Sequence, residues 1–264
     1  MAKQRLLKKL SPFALGALAA CTAVPHVTPL TAEQLPDGRV LLASPPVTGS
    51  DAQMEDRRIY WQTRLLVGTD RWRLAQSDAD LHPAHFVDNF SCAAGFKLDL
   101  AQAPHLNALI QAFRKTEEAR VVEEKNYWRR PRPFLDNNAP ICVARSPDLM
   151  RSPAYPSGHT IAGYSMALIL ASLLPDRAAP ILQRGRVIGE SRVVCGVHWA
   201  SDVHAGYQMA SAFAVVGLAN PAVRAELPSA KAELEKMRRQ AKAPDAGICA
   251  IEADAAAHSP LTQM

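Results

Sequence analysis

Residues 159–174 of this 264-residue chain are almost wholly apolar, and the run opens on a turn, Pro156-Ser157-Gly158-His159. A helix apolar on every side has to be enclosed by others, so this run predicts the central helix of a bundle. It is shorter than the ~20 apolar residues that a membrane span needs. The rest of the chain supplies partners. Ser50-Asp51 caps a helix running to about Leu66, with Met54, Ile59, Trp61 and Leu65 as its apolar positions. Thr69-Asp70 caps a second, through Trp72, Leu74 and Ala75. Pro104 opens a third, where Leu106, Leu109, Ile110 and Phe113 follow the spacing of a buried stripe. Further helices are expected from near Gly185 to Cys195-Gly196, from His198 to Gly217, and from Ala222 to Ala241. No run alternates at period two, so no sheet is expected. The fold class is all-α: a single helical-bundle domain with its site at helix ends and loops.

The N-terminus reads differently. Lys3, Arg5, Lys8 and Lys9 precede the apolar stretch Leu10 to Ala20, as in an export signal. Without those four cations, 26 basic residues face 25 acidic ones. The pI near 9.0 therefore reflects the leader, and nucleic acid is not an expected partner. Leu18-Ala19-Ala20-Cys21 resembles a bacterial lipobox. The expected organisation is a lipoprotein signal peptide over 1–20, a Pro-rich, lipid-anchored tether over 21–40 and the helical domain over 41–264. Thr22 after the lipidated Cys21 points to the outer membrane, facing the periplasm. The alternative is an ordinary signal, with Cys21 incidental and the product soluble in the periplasm. The only membrane contact expected is the anchor.

Cys92, Cys142, Cys195 and Cys249 remain. An even number in an exported chain favours disulfides over metal binding. Of the three connectivities, the expected one is Cys92–Cys142 with Cys195–Cys249; the alternative leaves Cys195 a buried thiol.

Three stretches within 78 residues carry the chemistry: Lys125-(six residues)-Arg132-Pro133, Pro156-Ser157-Gly158-His159, and Ser191-Arg192-(five residues)-His198-(three residues)-Asp202. Phosphoryl transfer asks a protein mainly for positioning and charge. Arg132 and Arg192 offer guanidinium forks for phosphate oxygens, and Lys125 adds a point charge. Ser157 adds a hydroxyl, and Gly158 presents backbone N–H at a helix start. His198 and Asp202 are four apart, so a helix starting at His198 lets the carboxylate fix the imidazole tautomer and leave a nucleophilic nitrogen. His159 is placed to protonate the leaving alkoxide. No cofactor and no metal ligand set is called for. Taken singly, each stretch has a plainer reading, as a surface turn, a capped helix entry or a structural pair; their order and spacing together favour the site.

This pattern resembles the signature of the type 2 phosphatidic acid phosphatase superfamily, with every specified position filled. That superfamily includes soluble class A bacterial non-specific acid phosphatases, membrane-embedded lipid phosphatases and vanadium haloperoxidases. Gly68 to Ala75, Asp78 to Leu81, and Cys195-Gly196-Val197-His198-Trp199 with Ser201-Asp202-Val203 are similar to the class A enzymes. The resemblance covers roughly residues 41–220. It implies an all-helical fold and a phosphohistidine intermediate. It gives His198 as nucleophile, Asp202 as its partner and His159 as leaving-group acid, with Lys125, Arg132, Ser157, Gly158 and Arg192 binding phosphate. The implied activity is a broad, metal-independent acid phosphatase acting on small phosphate monoesters. A lipid phosphate phosphatase, a vanadium-dependent haloperoxidase and a non-catalytic envelope lipoprotein are the alternatives. Trp128, Phe134 and Tyr155 are candidates for either core or substrate contact. His204 adds a third imidazole near Asp202, and exposed helical faces leave room for a homodimer.

Overall fold

The computed structural model describes residues 27–28 and 30–261; the leader and Cys21 lie outside them. Twelve α-helices form one helical domain among the described residues, with no strand. In chain order they are α1 (Gly38–Leu41), α2 (Asp51–Thr63), α3 (Asp70–Ser77), α4 (Pro83–Asp88), α5 (Ser91–Ala94) and α6 (Pro104–Trp128). Then follow α7 (Pro147–Arg151), α8 (Gly158–Leu173), α9 (Ala178–Val194), α10 (Ala200–Ala219), α11 (Pro221–Gln240) and α12 (Ala246–Ala257).

The apolar run is α8, and it is central. It packs against α9 and α10, with α6 and α11 completing the surround. Ile161, Met166, Ile169 and Leu170 are buried along it. Glycine lets α8 and α9 approach closely: a Cβ on Gly163 would sit 2.5 Å from Ile188 Cγ2, and one on Gly185 2.5 Å from Ala167 Cβ. The α6 stripe of Leu106, Leu109, Ile110 and Phe113 is buried as expected.

Several boundaries and faces differ from the sequence reading. On α2, Met54, Trp61 and Leu65 just beyond it are exposed. Of the four apolar positions expected to face the core, only Ile59 is buried; the inward face is Gln53, Asp56, Ile59, Tyr60 and Thr63. Polar residues face inward there because they bond other buried polar groups. α9 begins at Ala178, seven residues before Gly185, because Pro180 falls in its first turn, where the missing N–H costs nothing. α10 begins at Ala200, so His198 lies in the turn before the helix. α12 and the short α1, α4, α5 and α7 were not expected.

The cysteine pairing is also corrected. The bonds are Cys92–Cys249 and Cys142–Cys195, not Cys92–Cys142 and Cys195–Cys249. The C-terminal α12 packs back on α3, α5 and α9, which brings Cys249 to Cys92. The loop before α7 runs beside the end of α9, where Cys142 N–H also bonds the Cys195 carbonyl.

The described part of the stretch before Leu41 lies on α6. Thr116 Oγ1 donates to the Leu30 carbonyl (2.7 Å), Arg120 Nη2 to the Leu35 carbonyl (3.0 Å), and Gly38 N–H to Glu124 Oε1 (2.8 Å). Leu35 and Leu42 are buried against Val121, Tyr155 and Phe213.

Candidate active site

Five segments meet at the N-terminal end of α8: the C-terminal half of α6, the 129–133 turn, the α8 start, the last turns of α9, and the 195–199 turn into α10. A cleft of about 470 Å3 opens there, with Lys125, Arg132, Gly158, His159, Arg192 and His198 among its walls. Six of the eight residues singled out from sequence thus face one cavity. Asp202 is fully buried behind His198. Ser157 is fully buried as the N-cap of α8, its Oγ accepting from Thr160 N–H (3.4 Å) and Thr160 Oγ1 (2.9 Å). It holds open the helix end whose amides face the cleft.

Hydrogen bonding fixes the protons on both histidines. His198 Nδ1 lies 3.2 Å from Asp202 Oδ2, and Nε2 lies 3.1 Å from Arg132 Nη1. A guanidinium can only donate, so Nε2 carries the lone pair and Nδ1 the proton. At His159 the wiring is reversed: Nε2 lies 3.2 Å from the Ala79 carbonyl, an obligate acceptor, so Nε2 carries the proton and Nδ1 remains. Burial lowers both imidazole pKa values well below the usual histidine range. Nearby cations add to it, with Arg132 and then Lys125 leading at His198 and Arg192 leading at His159.

The cations repel one another. Burial, then Arg132 and Arg192, lower Lys125 to about 7. Burial and Arg132 lower Arg192 to about 9, and burial lowers Arg132 to about 10. Lys125 Nζ donates to the Pro153 carbonyl (2.7 Å), and Arg132 Nε to the Ser152 carbonyl (2.8 Å). Arg192 differs: it is 3 % exposed, and its Nε and Nη1 have no hydrogen-bond partner in the protein. Buried donors of this kind cost about 1–3 kcal/mol each unless an acceptor meets them. An anion between Lys125, Arg132 and Arg192 satisfies those donors and reverses the repulsion.

Comparison with known proteins agrees with this geometry. Residues 108–224 match the family model of the PAP2 superfamily. An acid phosphatase of Zymomonas mobilis is 47 % identical over 220 residues, covering 83 % of each chain. A non-specific acid phosphatase of Providencia stuartii is 34 % identical over 83 % of this chain and 89 % of its own. That of Salmonella typhimurium is 32 % identical over 72 % and 77 %. The chain belongs to the PAP2 superfamily, among its non-specific acid phosphatases. All eight PAP2 positions read from the sequence fall inside the matched span.

Other residues around this PAP2 site were not singled out from sequence. Arg130, 5 % exposed, sits behind Asp202: Nη1 donates to Asp202 Oδ1 (2.5 Å) and Ser201 Oγ (2.6 Å), and Nη2 to Asp56 Oδ2 (2.7 Å) and Gln53 Oε1 (2.9 Å). Asp56 also accepts from Ser201 N–H (2.9 Å) and Ser201 Oγ (2.5 Å). A strut thus runs His198–Asp202–Arg130–Asp56, from the cleft to the inward face of α2. Burial pushes the Asp202 carboxyl up to about 6, while Arg130 and the Trp199 N–H pull the other way. The Asp at 56, Gln at 53 and Arg at 130 carried the signal, but only the three-dimensional path joins them. Trp128, Phe134 and Tyr155 do not line the cleft; Phe134 and Tyr155 are buried core. His204 is exposed on α10.

Proposed function

We propose that the chain is a phosphate monoester hydrolase working through a phosphohistidine on His198. The observation that carries this is the pairing of a lone-pair His198 Nε2 with the unpartnered, buried guanidinium of Arg192 in one cleft. The close relatives named acid phosphatases support it.

Phosphate oxygens fall between Lys125, Arg132 and Arg192, with the α8 amides below. His198 Nε2 attacks phosphorus, and Asp202 holds the growing positive charge on the ring through Nδ1–H. The P–O bond to the alcohol breaks as that oxygen takes the proton from His159 Nδ1. Burial, then Arg192, hold His159 neutral; a phosphate dianion bound beside it raises its proton affinity, so Nδ1 takes up from solvent the proton it gives to the alcohol. Water then attacks the phosphohistidine, giving its proton to His159, and phosphate leaves with His198 restored.

The reading gives His198 as nucleophile and His159 as acid and base. Asp202 is the positioning carboxylate, and Lys125, Arg132, Ser157, Gly158 and Arg192 form the cradle. Two disulfides fit an oxidising compartment. With the leader of 1–20, they support a periplasmic enzyme held at the outer membrane through lipidated Cys21. The test is acid-quench trapping with a phosphorus-labelled aryl phosphate. Wild type is expected to retain label on a histidine, and activity to survive a chelator. His198→Ala is expected to lose both label and at least about 10³ of the turnover. A label-free enzyme with full activity removes the mechanism.

A further inference from the structure

The phosphate cradle fills one end of the cleft; the remainder follows the groove between α6 and α8. Its walls there mix apolar side chains, Val121, Ile161 and Leu149 among them, with the polar Arg114, Glu117, Glu118, Asp148 and Ser152. Of these polar residues Glu117 is the buried one. Glu117, on α6 and lining the cleft, is 4 % exposed, and its Oε1 has no hydrogen-bond partner. Arg114, three residues back on α6, instead donates to the Leu81 carbonyl (2.8 Å) and lies over Phe86. Ser165 Oγ, beside it on α8, is too far for an ordinary hydrogen bond, though near enough to pull the carboxyl pKa down.

We propose that Glu117 is a specificity-determining residue: its carboxyl bonds a hydroxyl on the leaving alcohol, so the preferred substrates are phosphate monoesters of hydroxyl-bearing alcohols. This rests on the phosphatase reading above. A buried polar group without a partner costs stability that a leucine of similar shape avoids. Lining a binding cleft, it has a use that a core position lacks. Burial pushes the Glu117 carboxyl up to about 8, against weaker pulls from Ser165 and Arg114. At acidic pH it is therefore a neutral COOH that both donates and accepts, matching an alcohol without repelling the phosphate. The spacing also fits. An ideal Cβ on Gly158, at the cradle, lies 3.2 Å from Val121 Cγ1. Glu117 is one turn of α6 further on, about 6 Å along the axis, which a four-carbon alcohol spans.

The test compares butyl phosphate with 4-hydroxybutyl phosphate, two esters that differ by one terminal hydroxyl. Wild type is expected to favour the hydroxylated ester in kcat/KM by about fivefold or more, the scale of one hydrogen bond. In Glu117→Leu the ratio is expected to fall towards one, through a higher KM for the hydroxylated ester. Glu117→Gln, which can still donate and accept, is expected to keep part of the preference. Inhibition by inorganic phosphate, too small to reach Glu117, should match wild type in both variants. Equal kcat/KM for the two esters in wild type overturns the proposal, even if Glu117→Leu fails to fold. A Glu117→Leu variant that keeps the preference also overturns it. If neither ester releases phosphate, the phosphatase reading itself fails, and that outcome is distinct from equal turnover of both.

Discussion

At His198 an acceptor, Asp202, sits at Nδ1 and a donor, Arg132, at Nε2; at His159 the acceptor, Ala79, sits at Nε2. On the proposed mechanism, two identical side chains in one cleft are thereby set to different tasks. Sequence spacing located both rings but could not say which nitrogen faced the substrate. That depends on an Ala79 carbonyl eighty residues from His159, which no side-chain pattern encodes. The division of labour has a measurable signature. An acid matters most when the leaving alkoxide is strongly basic. His159→Ala is expected to cut kcat/KM for an alkyl phosphate by about 10²–10³, the usual range for a lost acid–base group. For a nitrophenyl phosphate, whose leaving group needs little protonation, the loss should be under about tenfold. Steady-state kinetics on a leaving-group series checks this; equal losses across the series would remove His159 from the proton step.

Among the elements, α2 was the least legible. Its start at Ser50-Asp51 was plain, and the Ser50 cap is made as read. Its inward face was not, because hydrophobic spacing is the wrong signal where a helix presents Gln53 and Asp56 to a buried arginine. By contrast, α6 and α8 were readable because their inward faces are apolar. α2 therefore reaches the chemistry through Arg130 and Asp202 without touching the cleft. Arg130 lowers the Asp202 pKa, so its removal raises that pKa further above the usual carboxylate range. Protonated Asp202 no longer accepts from His198 Nδ1–H, so activity is lost on the acid side. In Arg130→Gln the acidic limb of the kcat/KM profile is expected to move to higher pH by about one unit or more. Stability should fall by about 3–5 kcal/mol, since Asp56 and Asp202 lose their buried partner. A pH–rate profile and a denaturant titration read the two effects separately; an unmoved acidic limb would detach the strut from catalysis.

For the whole molecule, the two disulfides do different work. Cys92–Cys249 closes a span of 157 residues and fastens α12 to the body, away from the cleft. Cys142–Cys195 closes 53 residues and pins the turn between Arg192 and His198. The pairing was not legible in sequence because it depends on how the C-terminal helix returns. Each bond is expected to contribute about 2–5 kcal/mol. Cys92→Ser with Cys249→Ser should lower Tm while leaving kcat within about twofold. Cys142→Ser with Cys195→Ser should lower both Tm and kcat, because the His198 turn loses its staple. Calorimetry and turnover on the two double variants check this, and a drop in kcat confined to the first pair would reverse the assignment.

The chain before α1 has a consequence for where such an enzyme can work. If residues 22–50 were free, 29 residues could carry the body up to about 100 Å from a lipidated Cys21. Instead, Leu30, Leu35 and Gly38 are hydrogen-bonded to α6, and Val27 is already buried. The five residues between Cys21 and Val27 can span at most about 20 Å. With the anchor proposed at Cys21, the enzyme would ride close against the lipid surface. Substrates would then have to approach through the thin layer of solvent beside the membrane.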